Sequence, residues 1–477
     1  MMMSTLLRRT RANPTEAQAS DTPKHLGWIM MTAMGIGATI GAGIFAMPGM
    51  IAQKAGPAGI LSFLLTGIII LFVGISYERF SRVVPNGVSA YSYVYHSMGE
   101  IFAWIVAFGL FLEYSFGASA VAIAWSVYLQ KAFSFKMPEF WAGPMYVKTL
   151  DGGSEFHFGI NIIALSAVAL VTLICMYGGV SKSAKLNFAL VLLKMTLLLV
   201  FLVAGLKHLN LSNLTPFMPM GIEGVLRGAA LAVFPYVGFD ALFTFARESK
   251  SLKDTSRATF LCIGIVAFLY VAVMFVACCL APAFLPDAAA AGGFSPNPQF
   301  AGNEASAPLA VLMSAAGEDW IARLIAGGAV LGIFNVLLVL SMGGPRIFRN
   351  MAEDGLLPPI FQKTHKGNPT VGLAINGIIV GLMAGFVPFG DIAEMMVLGT
   401  LVAFIFVCIG AMRMKLVSPL IALPGAIGCT ILTAFLGDLV LKTYCITLPV
   451  GLVIYFLYGR KHSRLNNEPS LVYEESK

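Results

Sequence analysis

The chain predicts an all-α polytopic membrane protein. Twelve transmembrane helices are expected, arranged as a five-plus-five inverted repeat in which helices 1 and 6 are broken. Three observations carry this prediction: continuous apolar runs of membrane length, alternation of basic and base-poor loops between them, and two interrupted runs five segments apart.

Of 477 residues, 58% are hydrophobic and 12% charged, with a mean hydropathy of +0.82. A soluble domain carries about 25% charge, so no soluble core accounts for this much apolar material. A β-barrel would show alternating ten-residue segments, whereas these runs are continuous. The net charge of +7 comes from basic residues spread along the loops. That pattern speaks for a cytoplasmic face and against nucleic acid.

Runs long enough to cross about 30 Å of hydrocarbon fall near 27–50, 58–80, 100–130, 159–178, 186–206, 222–246, 258–281, 308–343, 371–389, 392–413, 417–437 and 440–459. Lys and Arg cluster in alternate loops, as in Arg79 and Arg82; Arg247, Lys250, Lys253 and Arg257; and Arg460, Lys461 and Arg464. The intervening loops are sparse, and the loop 282–307 has no base. By the positive-inside rule both termini are then cytoplasmic, with the cell (inner) membrane as the location. The expected divisions are an N-terminal tail 1–26, a first repeat 27–206, a second repeat 207–415, two further helices in 416–460 and a C-terminal tail 461–477. No small-residue cleavage site follows a short apolar run, so segment 1 is expected to be a true span.

Segment 1 contains Gly35-Ile-Gly-Ala-Thr-Ile-Gly-Ala-Gly-Ile-Phe45. Each interior glycine costs a helix roughly 1 kcal/mol relative to alanine, and an unpaired backbone group in lipid costs more. Broken helices in membranes line cavities, where helix ends and loose carbonyls hold a polar solute. Segment 6 reads Phe234-Pro-Tyr-Val-Gly-Phe-Asp240. Pro235 removes a donor, Gly238 permits an unusual backbone, and Asp240 can cap a restarted half-helix. Two breaks at matching positions point to an inverted repeat with the solute between them.

Beyond the breaks, two ionisable residues in mid-span stand out. Glu113 lies mid-segment 3, and Gly109, Gly117, Ala120 and Ala124 share its helical face. That face is expected to pack on segment 1 or line a path. Lys194 lies inside segment 5 with no nearby sequence partner. Such groups are functional candidates by default, set against structural roles as a hydrogen-bonded glutamate and a propping lysine. Asn335 in segment 8, preceded by Gly328 and Gly332, is a further pocket candidate. All seven cysteines fall in apolar segments and read as core packing. No Walker loop, Ser-His-Asp set, metal cluster or cofactor motif appears, so neither ATP-driven transport nor an enzyme is expected.

An ordered set of landmarks resembles the amino acid–polyamine–organocation superfamily of permeases, closest to bacterial relatives of the cationic amino acid transporters. They are Gly35–Gly49, Pro85-Asn-Gly-Val-Ser-Ala-Tyr-Ser-Tyr93 followed by Gly99-Glu100, Leu112-Glu-Tyr114, Tyr236–Asp240, Arg349–Pro358 and Gly399-Thr-Leu-Val-Ala-Phe404. Departures stand at Arg247-Glu248, Ser251-Leu252, Pro235 and Glu353.

The resemblance implies a LeuT-type fold whose broken segments bind an amino acid. It also implies uptake coupled to protons, or exchange of cationic amino acids or amines. Half-helix N-termini suit a carboxylate, which singles out Gly41, Ala42 and Gly43. Carbonyls at Ile40 and at Phe234, Tyr236 and Val237, with Gly238 and Asp240, suit the ammonium. In similar permeases the aromatic at Phe234 lies over the solute as a gate, and a lysine at position 194 takes the place of a sodium ion. Lys194 and Glu113 are therefore the proton-coupling candidates. The expected partners are an amino acid, protons and the bilayer. The choice of amino acid and the oligomeric state stay open.

Overall fold

The computed structural model describes residues 26–84, 89–148, 154–177, 184–286, 294–297, 306–365 and 367–467. The tail before Leu26, Pro85–Val88 of the motif entering segment 3, most of the loop 282–307 and the tail beyond Asn467 lie outside the described residues.

Helix follows helix along the chain. Segment 1 is two helices, α1 (Trp28–Thr39) and α2 (Gly43–Ala55), and segment 2 is α3 (Gly59–Val83). A short α4 (Ala90–Ser97) leads into α5 (Glu100–Ala132). Then come α6 (Ile162–Tyr177), α7 (Ala184–Gly205), α8 (Gly221–Tyr236) with a 3₁₀ segment Phe239–Glu248 behind it, and α9 (Leu252–Leu280). After α10 (Pro308–Ala315) the chain runs through α11 (Asp319–Glu353), α12 (Thr370–Phe386), α13 (Phe389–Arg413), α14 (Pro419–Ala434) and α15 (Asp438–Ile454). Among the described residues, eight helical stretches are long and apolar enough to span a bilayer. Four more apolar helices, α1, α6, α12 and α14, are shorter. Among the described residues, three two-stranded antiparallel sheets lie between helices.

One boundary departs from expectation. The run 308–343 is not one long span: α10 ends at Ala315, Gly317 turns at φ +83°, and α11 starts afresh and continues to Glu353. The local signal of the turn is Gly317, at positive φ, followed by Glu318 and Asp319, which averaging hydropathy over a long run conceals.

The helices pack in two groups. α1 and α2, α3, α8 and α9 pack on one another, and α5 packs on α11, α13, α12 and α6. Close packing in lipid relies on small residues. Gly109 of α5 faces Gly399 of α13, where a Cβ on Gly109 would stand 2.9 Å from the Gly399 carbonyl. Gly117 meets Leu340 and Met396. At Gly109 and Gly117 the small-residue face of Glu113 therefore packs on segments 10 and 8. Hydroxyls complete the first group: Ser62 and Thr66 of α3 donate to the carbonyls of Val225 and Ala229 in α8, at 2.8 and 2.7 Å.

At one end of the bundle the chain after α15 folds back. Tyr455 and Ser463 donate to the buried carboxylate of Glu100 at the start of α5. The Arg464 amide donates to the Asp354 carbonyl (3.0 Å), and the Tyr91 hydroxyl donates to the Asp354 carboxylate (2.5 Å). This clamp ties α4, α5 and α11 together.

Burial pushes the Asp354 carboxyl above the ordinary carboxylate range, opposed in part by the Tyr91 hydroxyl. A carboxyl whose folded pKa is raised contributes stability below its unfolded pKa, about 3.9, and loses it as pH rises through the folded value. The melting temperature in detergent is expected to fall as pH rises above about 4, and Asp354→Asn to flatten that fall. Superimposable profiles of melting temperature against pH would contradict it.

Candidate functional site

The two breaks face each other at the centre of the first helix group. α1 ends because Ile40 leaves helical geometry (φ −72°, ψ 83°), and α2 restarts at Gly43 with no side-chain cap on Ala42. The Gly41 amide turns back to the Thr39 carbonyl at 2.7 Å. The amides of Phe45 and Ala46 bond the Ala42 carbonyl. The N–H groups of Ala42, Gly43 and Ile44 thus have no acceptor among the described residues. They sit where a helix N-terminus concentrates positive potential.

In segment 6, Pro235 lies in the last turn of α8 and the helix stops at Tyr236. Gly238 takes φ +104°, and a Cβ there would stand 2.7 Å from the Ala38 carbonyl. Reciprocally, a Cβ on Gly43 would lie 2.5 Å from Pro235 Cα and 3.0 Å from the Phe234 ring. Both glycines are required by close approach, because each break presses on the other. The Asp240 carboxylate lies beside the backbone amides of Gly238, Asp240 and Ala241 at the start of the 3₁₀ segment.

The carbonyls divide unevenly. Phe234 accepts from the Val237 amide at 3.2 Å, and Pro235 accepts from the Tyr270 hydroxyl of α9 at 2.8 Å. Those of Ile40, Tyr236 and Val237 have no bonded donor among the described residues. The Tyr236 side chain points away, buried, with its hydroxyl on the Phe63 carbonyl at 3.0 Å. Tyr236 therefore reaches the site through its backbone alone. Gly41, Val237, Gly238 and Asp240 are half-buried, while Ile40, Ala42, Gly43 and Phe234 are buried. Val336, next to the half-buried Asn335, lies 3.7 Å from a Cβ position on Gly41, so α11 closes one side.

Tyr270 is the residue that sequence reading missed. Its hydroxyl lies 3.2 Å from the Thr39 carbonyl and 2.8 Å from that of Pro235, one carbonyl from each break. Its ring packs against Tyr236 and Phe63 at 5.1 and 5.7 Å. A tyrosine in an apolar helix carries no local sign of this. Tyr128 of α5 was equally silent, and it donates to the Phe45 carbonyl at 2.7 Å, holding α2 to α5.

Lys194 is buried, and its ammonium points to the Gly37 carbonyl at 3.5 Å, a group freed when Gly41 turns back to Thr39. Gly332 makes room for its stem and Gly328 for Leu197. These two glycines therefore receive segment 5 and do not line a pocket with Asn335. Glu113 accepts a hydrogen bond from the Thr400 hydroxyl at 2.8 Å and lies within electrostatic reach of Asp240 at the second break. Six cysteines are buried, while Cys445 is exposed on α15. Among the described residues no group of three or more His, Cys, Asp or Glu could hold a metal.

Tyr270→Phe keeps the ring and strips the hydroxyl from two buried carbonyls. A loss of about 1–3 kcal/mol is expected, seen as a lower melting temperature in detergent. An unchanged melting temperature would mean the hydroxyl is idle.

The comparisons agree with this frame. The Amino acid permease family matches residues 26–471. A branched-chain amino acid permease of Bacillus subtilis is 33% identical over 459 residues, covering 93% of this chain and 94% of the relative. A methylthioribose transporter of the same species is 31% identical, covering 97% and 100%. Cationic amino acid transporter 1 of Arabidopsis thaliana is 28% identical, covering 86% and 66%. All three are named for solute transport. With paired helix breaks inside an all-helical multi-pass membrane protein, the chain belongs to the amino acid permease family, within the amino acid–polyamine–organocation superfamily.

Proposed function

We propose that this permease is a secondary carrier of a neutral amino acid, working by alternating access in the cell's inner membrane. The frame is twelve spans of LeuT-type five-plus-five repeat with both termini cytoplasmic. The break at Ile40–Ala42 and its counterpart five segments on support that frame. The observation that carries the reading is the pairing of unbonded amides at the start of α2 with unbonded carbonyls at the end of α8.

In this reading the N–H groups of Ala42, Gly43 and Ile44, beside Gly41, hold the carboxylate. The carbonyls of Ile40, Tyr236 and Val237, beside Gly238, hold the ammonium. Phe234 covers the solute and Asn335 borders it. Glu113 is bonded to Thr400 and Asp240 to its own backbone. Both carboxylates are already engaged inside the protein, which we take to favour a neutral solute. A branched-chain permease among the relatives points the same way. The second reading, an exchanger of cationic amino acids or amines, draws on the cationic amino acid transporters among them. Dependence of uptake on solute inside the vesicle would favour it.

Lys194 is the proposed coupling group, with Glu113 next in line. Protonated, it holds the Gly37 carbonyl in the manner of a bound cation; neutral, it releases the end of α1. A coupling of about 1–3 kcal/mol is enough to bias inward against outward states.

Gly43→Leu drives a side chain into the Pro235 backbone and is expected to abolish amino acid binding and to lower the melting temperature. Retained binding would sink the site assignment. Lys194→Ala is expected to lose pH-driven accumulation in proteoliposomes while keeping some binding, and wild type to need no sodium. Full pH-driven accumulation in the variant would make Lys194 structural, and a sodium requirement would end the proton reading.

A further inference from the structure

A second polar cleft lies away from the breaks, at the far end of α8. It has a volume of about 210 Å³ and is lined by Lys54 of α2, Arg227 and Leu231 of α8, Glu394 of α13, and the turn Phe435–Asp438 before α15. Its charges are two cations and two anions. Lys54 Nζ stands 3.6 Å from Glu394 Oε1, and the Gly437 amide donates to Glu394 Oε2 at 2.7 Å. Arg227 pairs with Glu223 one turn back at 2.7 Å, with both side chains exposed. Exposed pairs of this kind contribute about 0–1 kcal/mol, so a solute can exchange them. Asp438 is exposed and has no ion-pair partner among the described residues.

The cleft and the second break share one face of α8. Arg227, Leu231 and Phe234–Pro235 follow at spacings of four and then three or four, one stripe of α8. From Arg227 to Phe234 the axis rises about 10 Å, and Phe234 abuts Gly43. Under the orientation proposed above, the cleft faces outward.

We propose that this cleft is an outer docking subsite for the α-amino acid zwitterion, occupied before the solute reaches the breaks. The inference rests on reading the chain as an amino acid carrier. The Arg227 guanidinium takes the carboxylate through its two-pronged donor geometry. Glu394 and Asp438 take the ammonium, and Leu231 and Phe435 border the side chain. Both charges common to every α-amino acid are matched, and the side chain is not. Gly437 keeps the cleft open, since a Cβ there would stand 2.6 Å from Glu394 Oε2.

The test uses the full-length protein in proteoliposomes with radiolabelled leucine, alanine and lysine. Arg227→Gln and Asp438→Asn each remove one charge, and Gly437→Val fills the cleft while keeping every charge. For the solute that wild type carries, each variant is expected to raise KM about tenfold and leave kcat within about twofold. Added salt should raise the wild-type KM more than that of Arg227→Gln, because the screened contact is already gone. Wild-type KM and salt dependence in all three variants would overturn the subsite, as would a fall in kcat or melting temperature with KM unmoved. A wild type that carries none of the three solutes would overturn the amino acid reading itself, and the subsite with it. An active wild type with insensitive variants would overturn the subsite alone.

Discussion

The rest of the structure depends on the backbone contact between two broken helices. Hydrocarbon offers no hydrogen bonds, so every amide and carbonyl freed by a break must find a partner inside the protein or face a polar space. Gly43 against Pro235 and Gly238 against Ala38 bring the breaks close enough to share that burden. The Tyr270 hydroxyl then serves one carbonyl from each side. Among the described residues, what stays unserved is a set of amides at the start of α2 and carbonyls at Ile40, Tyr236 and Val237, opposite in polarity.

Much of the remaining architecture holds this pair in place from outside. Lys194 reaches across to the end of α1, and it can do so because Gly332 leaves room for its stem. Tyr128 holds the other half-helix to α5. The glycine contact between α5 and α13 and the Glu113–Thr400 bond keep the second helix group tight. Polar atoms in these spans are thus spent on fixing helices, and main-chain groups are left at the breaks. Under the proposed function, that division lets one main-chain frame serve different solutes, with side chains beside it such as Val237 and Val336 free to differ.

Charge is concentrated at the two ends of the bundle. At one, Glu100 and Asp354 hold the chain after α15 against α5 and α11 through hydroxyl donors. At the other, Lys54, Arg227, Glu394 and Asp438 line a cleft in which Lys54 pairs with Glu394 and Arg227 with Glu223. The first arrangement is buried and serves stability. The second is more exposed and loosely paired, as a surface that exchanges partners requires.

Helical class, membrane residence, the position of both breaks and membership of a permease family were all legible in the sequence. Hydropathy, glycine and proline are local signals, and the physics of lipid acts on them segment by segment. The turn at Gly317 within 308–343 escaped because hydropathy does not register a change of direction. Partnership was not legible. Gly109 meeting Gly399, Gly332 receiving Lys194, and Tyr236 turning away to Phe63 each depend on a helix distant in the chain. Tyr270, the anchor of both breaks, has no local mark at all. The sequence alone determined where the backbone must open, because the cost of a broken helix in hydrocarbon is paid locally. Only the tertiary structure decided which groups close those openings, because a hydrogen bond between helices depends on how they pack.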